Sequence, residues 1–330
     1  MQATFVHALS QWTVTADETL RRTLGVQPMP VKSPVKSMKG LASRGKLAVV
    51  LAVLSCAGLP VPEALAVVGG ALAQEGTFPS LAYIVDVQGR YVYQCTSTVV
   101  APSLILTAGH CAEDLKSGVV NRASGYRVVT GTVDPMMPGA AVSTVLGVIV
   151  YPWFVRRVDD GDAALLVLST PTKAPPIALA RRSEARSFSG GSPAVIAGWG
   201  ITSFEQKLPT EALRFADTVV QARRWCKGNA RPFYAKSEIC TIAPPSYATG
   251  ACSGDSGGPL LAQRPTGEVV EIGIAVHVYG RCSTRRPSVF VSVGSISSWA
   301  SSWIAAYKVS PPPPTSSPPP SLPAATSPTP

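Results

Sequence analysis

Between residues 81 and 293 the apolar positions fall in short, β-branched runs: 81–87, 99–106, 142–150, 163–168, 195–197, 213–220, 269–276 and 289–293. Gly, Pro, Asn and Asp clusters separate them. Runs this short, bounded by turn-forming residues, read as strands. Many such strands in succession predict an all-β sandwich or barrel. A helical period shows only near the end, where 295–307 puts Ile296, Trp299, Trp303 and Ile304 on one face at spacings of three and four. Gly190-Gly191 and the polar, arginine-containing stretch 181–189 mark a connector midway. The pattern predicts two β units of similar size followed by a C-terminal helix.

The two ends of the chain have a different texture. Residues 47–54 are wholly apolar, follow Lys39, Arg44 and Lys46, and precede the small-x-small triplet Ala64-Leu65-Ala66. Eight apolar residues cannot cross a bilayer core, which needs about 20, so 1–66 reads as an N-terminal extension plus secretory signal peptide. Met38 is the expected true start. Cleavage after Ala66 is favoured; cleavage after Ala57 would leave a short propeptide, 58–66, and a lipid anchor on Cys56 has only a poor lipobox to support it. The tail 310–330 is Pro, Ser, Thr and Ala. It cannot bury enough apolar area to offset its ordering entropy, and reads as a disordered stalk near a cell wall or as a linker to nothing.

From Val67 onward 22 Lys and Arg face 16 Asp and Glu, a mildly basic balance with no dense cluster along the sequence. Nucleic acid is therefore not an expected partner, while acidic substrates or an anionic cell-wall polymer would be attracted. No second segment is long enough to cross a membrane, so the product is expected to leave it after signal removal and to act as a secreted monomer. Six cysteines follow Val67: Cys95, Cys111, Cys226, Cys240, Cys252 and Cys282. An even count in a secreted chain implies disulfides, with 15 connectivities open to six cysteines. No CxxC spacing suggests a metal, and no cofactor is expected.

The richest chemistry lies in Gly254-Asp255-Ser256-Gly257-Gly258-Pro259, which sets a serine on a glycine-rich turn. Upstream, Thr107-Ala108-Gly109-His110-Cys111 puts a histidine on a small-residue turn. A serine nucleophile needs a base for its proton, and imidazole suits that near neutral pH. These two motifs, in this order, resemble the trypsin/chymotrypsin-like serine proteases. Gly198-Trp199-Gly200 and the 16- and 14-residue intervals Cys95–Cys111 and Cys226–Cys240 add to the resemblance, which covers about 67–308.

The resemblance implies two six-stranded antiparallel β-barrels with the catalytic cleft between them, in a protease domain at 67–309. It selects the disulfides Cys95–Cys111, Cys226–Cys240 and Cys252–Cys282. It makes Ser256 the nucleophile, His110 the base and Asp162 the carboxylate that orients the imidazole, with Asp159 and Asp160 as nearby rivals. The N–H groups of Gly254 and Ser256 would form the oxyanion hole, where one donor is typically worth roughly 2.7–4 kcal/mol. Val67-Val68-Gly69-Gly70 is similar to the family's mature N-terminus, whose α-amino group would pair with Asp255.

Specificity and one departure complete the reading. Gly250 stands where trypsin-like members carry a floor carboxylate, and a buried Arg or Lys there would lack a counter-charge. Val278 and Ser288 are larger than the glycines that admit bulky side chains, so the pocket is expected to be elastase-like and to take small apolar P1 residues. Val276 replaces the serine that usually supports the triad aspartate, and His277 the usual aromatic residue beside the substrate groove. The expected function is a secreted serine endopeptidase acting on proteins or peptides. A catalytically weak homologue serving as a binding module, and an esterase with the same triad, are the alternatives.

Overall fold

Two rings of six antiparallel strands absorb the short apolar runs. The computed structural model describes residues 67–89, 91–155, 160–205 and 210–307; the leader 1–66, the rival Asp159 and the tail 310–330 lie outside the described residues. The first ring runs Leu81–Gln88, Tyr91–Ala101, Leu104–Thr107, Ala164–Leu168, Ala141–Val150, Tyr126–Thr130 and back to Leu81–Gln88. The second runs Pro193–Gly198, Arg214–Val220, Glu238–Ile242, Ser288–Ser292, Val269–Val278, Pro259–Gln263 and back to Pro193–Gly198. Among the described residues, two short strands lie outside the rings: Ala71–Leu72 on Arg214–Val220, and Ala178–Leu179 parallel to Val269–Val278.

Burial explains why the apolar runs look as they do. Leu104–Thr107 and Ala164–Leu168 are buried throughout, so they read as continuous apolar runs. Arg214–Val220 alternates between buried and more open positions, as expected of a strand with one wet face. The C-terminal helix Val293–Tyr307 buries Ile296, Trp299 and Ala300 in the same apolar cluster as Leu104, Leu106, Leu165 and Leu168 of the first ring. It therefore closes the end of a core to which it is not adjacent in sequence. Among the described residues no helix is long and apolar enough to cross a membrane.

Several details differ from the sequence expectation. The run 99–106 is two strands, because Pro102 cannot supply a ladder N–H and the chain turns there before Leu104. Tyr91–Ala101 starts eight residues earlier than its apolar run, in polar sequence. Tyr126–Thr130 and Glu238–Ile242 carry too few consecutive apolar residues to stand out, and in Pro259–Gln263 the short run Leu260–Ala262 follows directly on the glycine-rich turn and a proline. The helix at the C-terminus is not the only one: Arg223–Asn229, with no apolar stripe, is a second, tied down by the Cys226–Cys240 disulfide.

Candidate active site

The serine sits in the loop between Cys252 and the strand Pro259–Gln263, and its backbone dictates the glycines. Gly254 and Gly257 have φ of 94° and 79°, in the left-handed region that side chains avoid. A Cβ on Gly257 would also run into Thr107 Oγ1 and the Thr96 carbonyl. The loop is pinned on both sides. The Ala275 carbonyl accepts from Gly257 N–H at 2.7 Å, and Gly258 C=O accepts from Ala275 N–H at 2.8 Å. From the first ring, Thr96 N–H donates to the Ser256 carbonyl at 2.9 Å.

Sequence reasoning missed the side chain of Thr96. Its hydroxyl donates to the Gly254 carbonyl at 2.9 Å and accepts from Trp199 N–H at 3.2 Å, fully buried. One first-ring residue thus holds two points of the serine loop, one of them the carbonyl of Gly254, whose own N–H is proposed to line the oxyanion hole. The only sequence signal was its place beside Cys95.

His110 lies on the one-turn helix Gly109–Cys111 that ends the strand Leu104–Thr107. The Cys95–Cys111 disulfide ties this turn to the strand that carries Thr96, and Cys111 Sγ lies 3.9 Å from the Ser256 carbonyl. Asp162, fully buried, precedes Ala164–Leu168, which pairs with the strand leading to the histidine's turn. Its Oδ2 lies 2.7 Å from His110 Nδ1, and its Oδ1 accepts from His110 N–H, also at 2.7 Å. A carboxylate only accepts, so Nδ1 carries a proton, and in the neutral ring Nε2 keeps its lone pair. The ring is 21% exposed, open enough to meet a substrate. Asp160 is turned away: it accepts from Ser237 Oγ in the second half of the chain.

Asp255 is buried beneath the loop at 1% exposure. Its two oxygens accept from Gly200 N–H at 2.9 Å and Cys252 N–H at 2.8 Å, yet burial pushes its carboxyl up to about 7. Val67 is fully buried in the cluster that contains Ala251, Leu260 and Phe290. Val68 bridges Gly250, whose N–H donates to the Val68 carbonyl at 3.2 Å. The segment around Val67 is therefore seated against the peptide five residues before Asp255.

Gly250, Val278 and Ser288 come together. Val278 and Ser288 are directly opposed across neighbouring strands, and Val278 packs against Cys252 and Cys282. Ser288 Oγ accepts from Ala251 N–H at 3.2 Å. A Cβ placed on Gly250 would lie 3.5 Å from Thr284 Cγ2 and 3.7 Å from Ser288 Oγ. Thr284, which the sequence reading overlooked, thus helps to floor this space with a methyl group. Beside it His277 meets Tyr279 edge-on at 4.3 Å, and Tyr279 Oη donates to the Pro232 carbonyl at 2.8 Å. Val276 packs among apolar residues.

Among the described residues, one grouping has the right atoms for a metal: Cys95, His110 and Cys111. Both sulfurs are consumed by their disulfide, which leaves a lone imidazole and no metal site. What remains can do acyl transfer: a serine in a loop fixed on both sides, and an oriented imidazole with a lone pair.

Comparison with known proteins agrees with this chemistry. The family model described as Trypsin matches residues 67–300. The chain is 28% identical over 229 residues to a trypsin of Saccharopolyspora erythraea, covering 69% of this chain and 94% of that protein. It is 26% identical over 266 residues to trypsin alpha-4 of Lucilia cuprina, covering 78% and 97%. Serine protease SP24D of Anopheles gambiae is 28% identical over 250 residues, covering 75% and 84%.

Proposed function

The chain belongs to the trypsin family of serine proteases, and we propose that it is a secreted endopeptidase working through Ser256, His110 and Asp162, with a preference for small apolar P1 residues. The observation that carries the reading is the double contact between His110 and Asp162. It fixes the ring and its tautomer, leaving Nε2 to take the Ser256 proton. The serine Oγ then bonds to the scissile carbonyl carbon, and the carbonyl oxygen becomes negative between the N–H groups of Gly254 and Ser256. His110 returns the proton to the departing amine, leaving an acyl-enzyme. Water repeats the cycle, with His110 again as base, and releases the acid.

The P1 preference rests on Gly250, Thr284, Val278 and Ser288. None of them offers a carboxylate to an Arg or Lys, and the branched Val278 leaves little depth. Two of the relatives are named trypsins, but the floor of this pocket separates the chain from cleavage after basic residues. Secretion is supported by the signal-like leader and by three disulfides, which persist in oxidising compartments. Maturation before Val67 would put an ammonium near a carboxyl that is costly to bury alone.

Intact mass of the purified protein, with and without a serine-directed phosphonate, tests the reading. A phosphonyl adduct mapped to Ser256 on a chain beginning at Val67, with turnover of alanyl over arginyl peptide amides, is the expected result. No adduct on a chain that already begins at Val67 would favour a binding module. Adduct formation with arginyl substrates preferred would overturn the pocket reading alone.

A further inference from the structure

Folding assembles a basic cleft that the sequence does not show. Arg181, Arg182 and Arg186 come from the connector, Arg223 from the start of the short helix, and Lys236 from the approach to Glu238–Ile242. All five are exposed, and they line one cavity of about 1150 Å³ on the second barrel. The nearby acids do not balance them. Glu238 is buried, and its Oε2 accepts from Tyr234 N–H at 2.6 Å. Glu184 accepts from Arg264 at 2.7 and 2.8 Å and from the Arg181 N–H at 2.8 Å, contacts that hold its carboxyl down at about 2, and it leaves the Arg181 guanidinium without an ion-pair contact among the described residues. Among the described residues no ion pair ties any of the five cations to a carboxylate.

Five like charges held round one concavity repel one another, and an anionic occupant relieves that repulsion. Four of the five are arginines, whose planar fork matches the oxygens of a phosphate better than a point charge does. The shape narrows the occupant further. Drug-sized ligands fill cavities of roughly 300–1,000 Å³, so this cleft holds a few units of one extended chain. A rigid duplex could only bridge its rim. We propose that the cleft is a docking site for a single flexible polymer carrying closely spaced phosphates. None of His110, Asp162, Ser256, Gly250 or Val278 lines it. The site is therefore separable from the acyl-transfer chemistry and stands whether or not that reading does.

The test uses the whole chain with Ser256→Ala, to prevent self-cleavage, titrated with inorganic polyphosphate by calorimetry. Binding at about 0.15 M salt is expected, and log K should fall with log salt at about −0.7 per phosphate engaged. Arg182→Ala/Arg223→Ala should weaken binding about tenfold and flatten that slope by about 1.4. Arg281→Ala/Arg285→Ala removes the same charge from another exposed loop and should change binding less than about twofold; melting curves check that both variants fold. No binding at that salt, or equal losses in both variants, would overturn the proposal. So would tighter binding of duplex DNA, heparin or anionic phospholipid vesicles, each of which would assign the cleft to a different partner.

Discussion

Thr96 holds the serine loop with its peptide N–H on Ser256 and its hydroxyl on Gly254 and Trp199. Thr96→Val keeps the volume but strands the Gly254 carbonyl and the Trp199 N–H in a dry site, at about 1–3 kcal/mol of stability. Because freeing the Gly254 carbonyl loosens the residue whose N–H is the proposed oxyanion donor, kcat should fall about tenfold with little change in KM, a fraction of what loss of a whole donor costs. Thr96→Ser should restore kcat. Steady-state kinetics on an alanyl amide decide it, since a purely structural role would lower the melting temperature and leave kcat alone. Val278→Gly is a second residue-scale test: removing the branched wall should raise kcat/KM for leucyl or phenylalanyl substrates relative to alanyl ones. An unchanged ranking would mean that Thr284 and Ser288 alone limit the pocket. His110, Asp162 and Ser256 could be picked out as candidates because each carries its signal in adjacent residues. Thr96 could not, because its partner Gly254 lies 158 positions away, and no local pattern encodes such a contact.

Elements were legible where burial made their pattern simple. Ala164–Leu168, buried on both faces, reads plainly as a strand. Tyr126–Thr130 and Glu238–Ile242 mix polar and apolar positions, and only their ladder partners make them strands. The helix Val293–Tyr307 shows both sides of this. Its stripe of Ile296 and Trp299 was visible, but its docking place on the first-ring core was not. Trp299 meets Tyr151 edge-on at 5.2 Å, at the start of the loop that leads to Asp162. Trp299→Ala should therefore cost about 3–5 kcal/mol, the usual loss for a truncated core aromatic. Denaturant unfolding with unchanged m-value would measure it. A loss below about 1 kcal/mol would show the helix to be a loosely attached appendage.

At the scale of the whole molecule, the two barrels share polar contacts as well as apolar ones. Thr98 of the first ring donates to Glu271 Oε2 of the second at 2.6 Å, with both side chains fully buried. Burial pushes the Glu271 carboxyl up to about 8, so near neutrality it is held as the uncharged acid. In the unfolded chain the same group ionises near its ordinary value of 4.5. Between these two values the unfolded state has released a proton that the folded state keeps, so raising the pH favours unfolding. The contribution is fully present below about 4.5 and is lost as the pH passes through about 8, on the order of a few kcal/mol at ~1.4 kcal/mol per pKa unit. Glu271→Gln preserves the shape and an acceptor for Thr98 but cannot ionise. The melting temperature of the unsubstituted protein should therefore fall more steeply between about pH 5 and pH 9 than that of the Gln variant, by this linkage. In a chain not yet cleaved before Val67, Asp255 adds a decline of the same sign that ends near 7. Both proteins carry it, so the difference between the two profiles isolates the carboxyl that joins the barrels. Parallel profiles would show that Glu271 is ionised and paired in the folded protein, and that the contact between the barrels is not a neutral one.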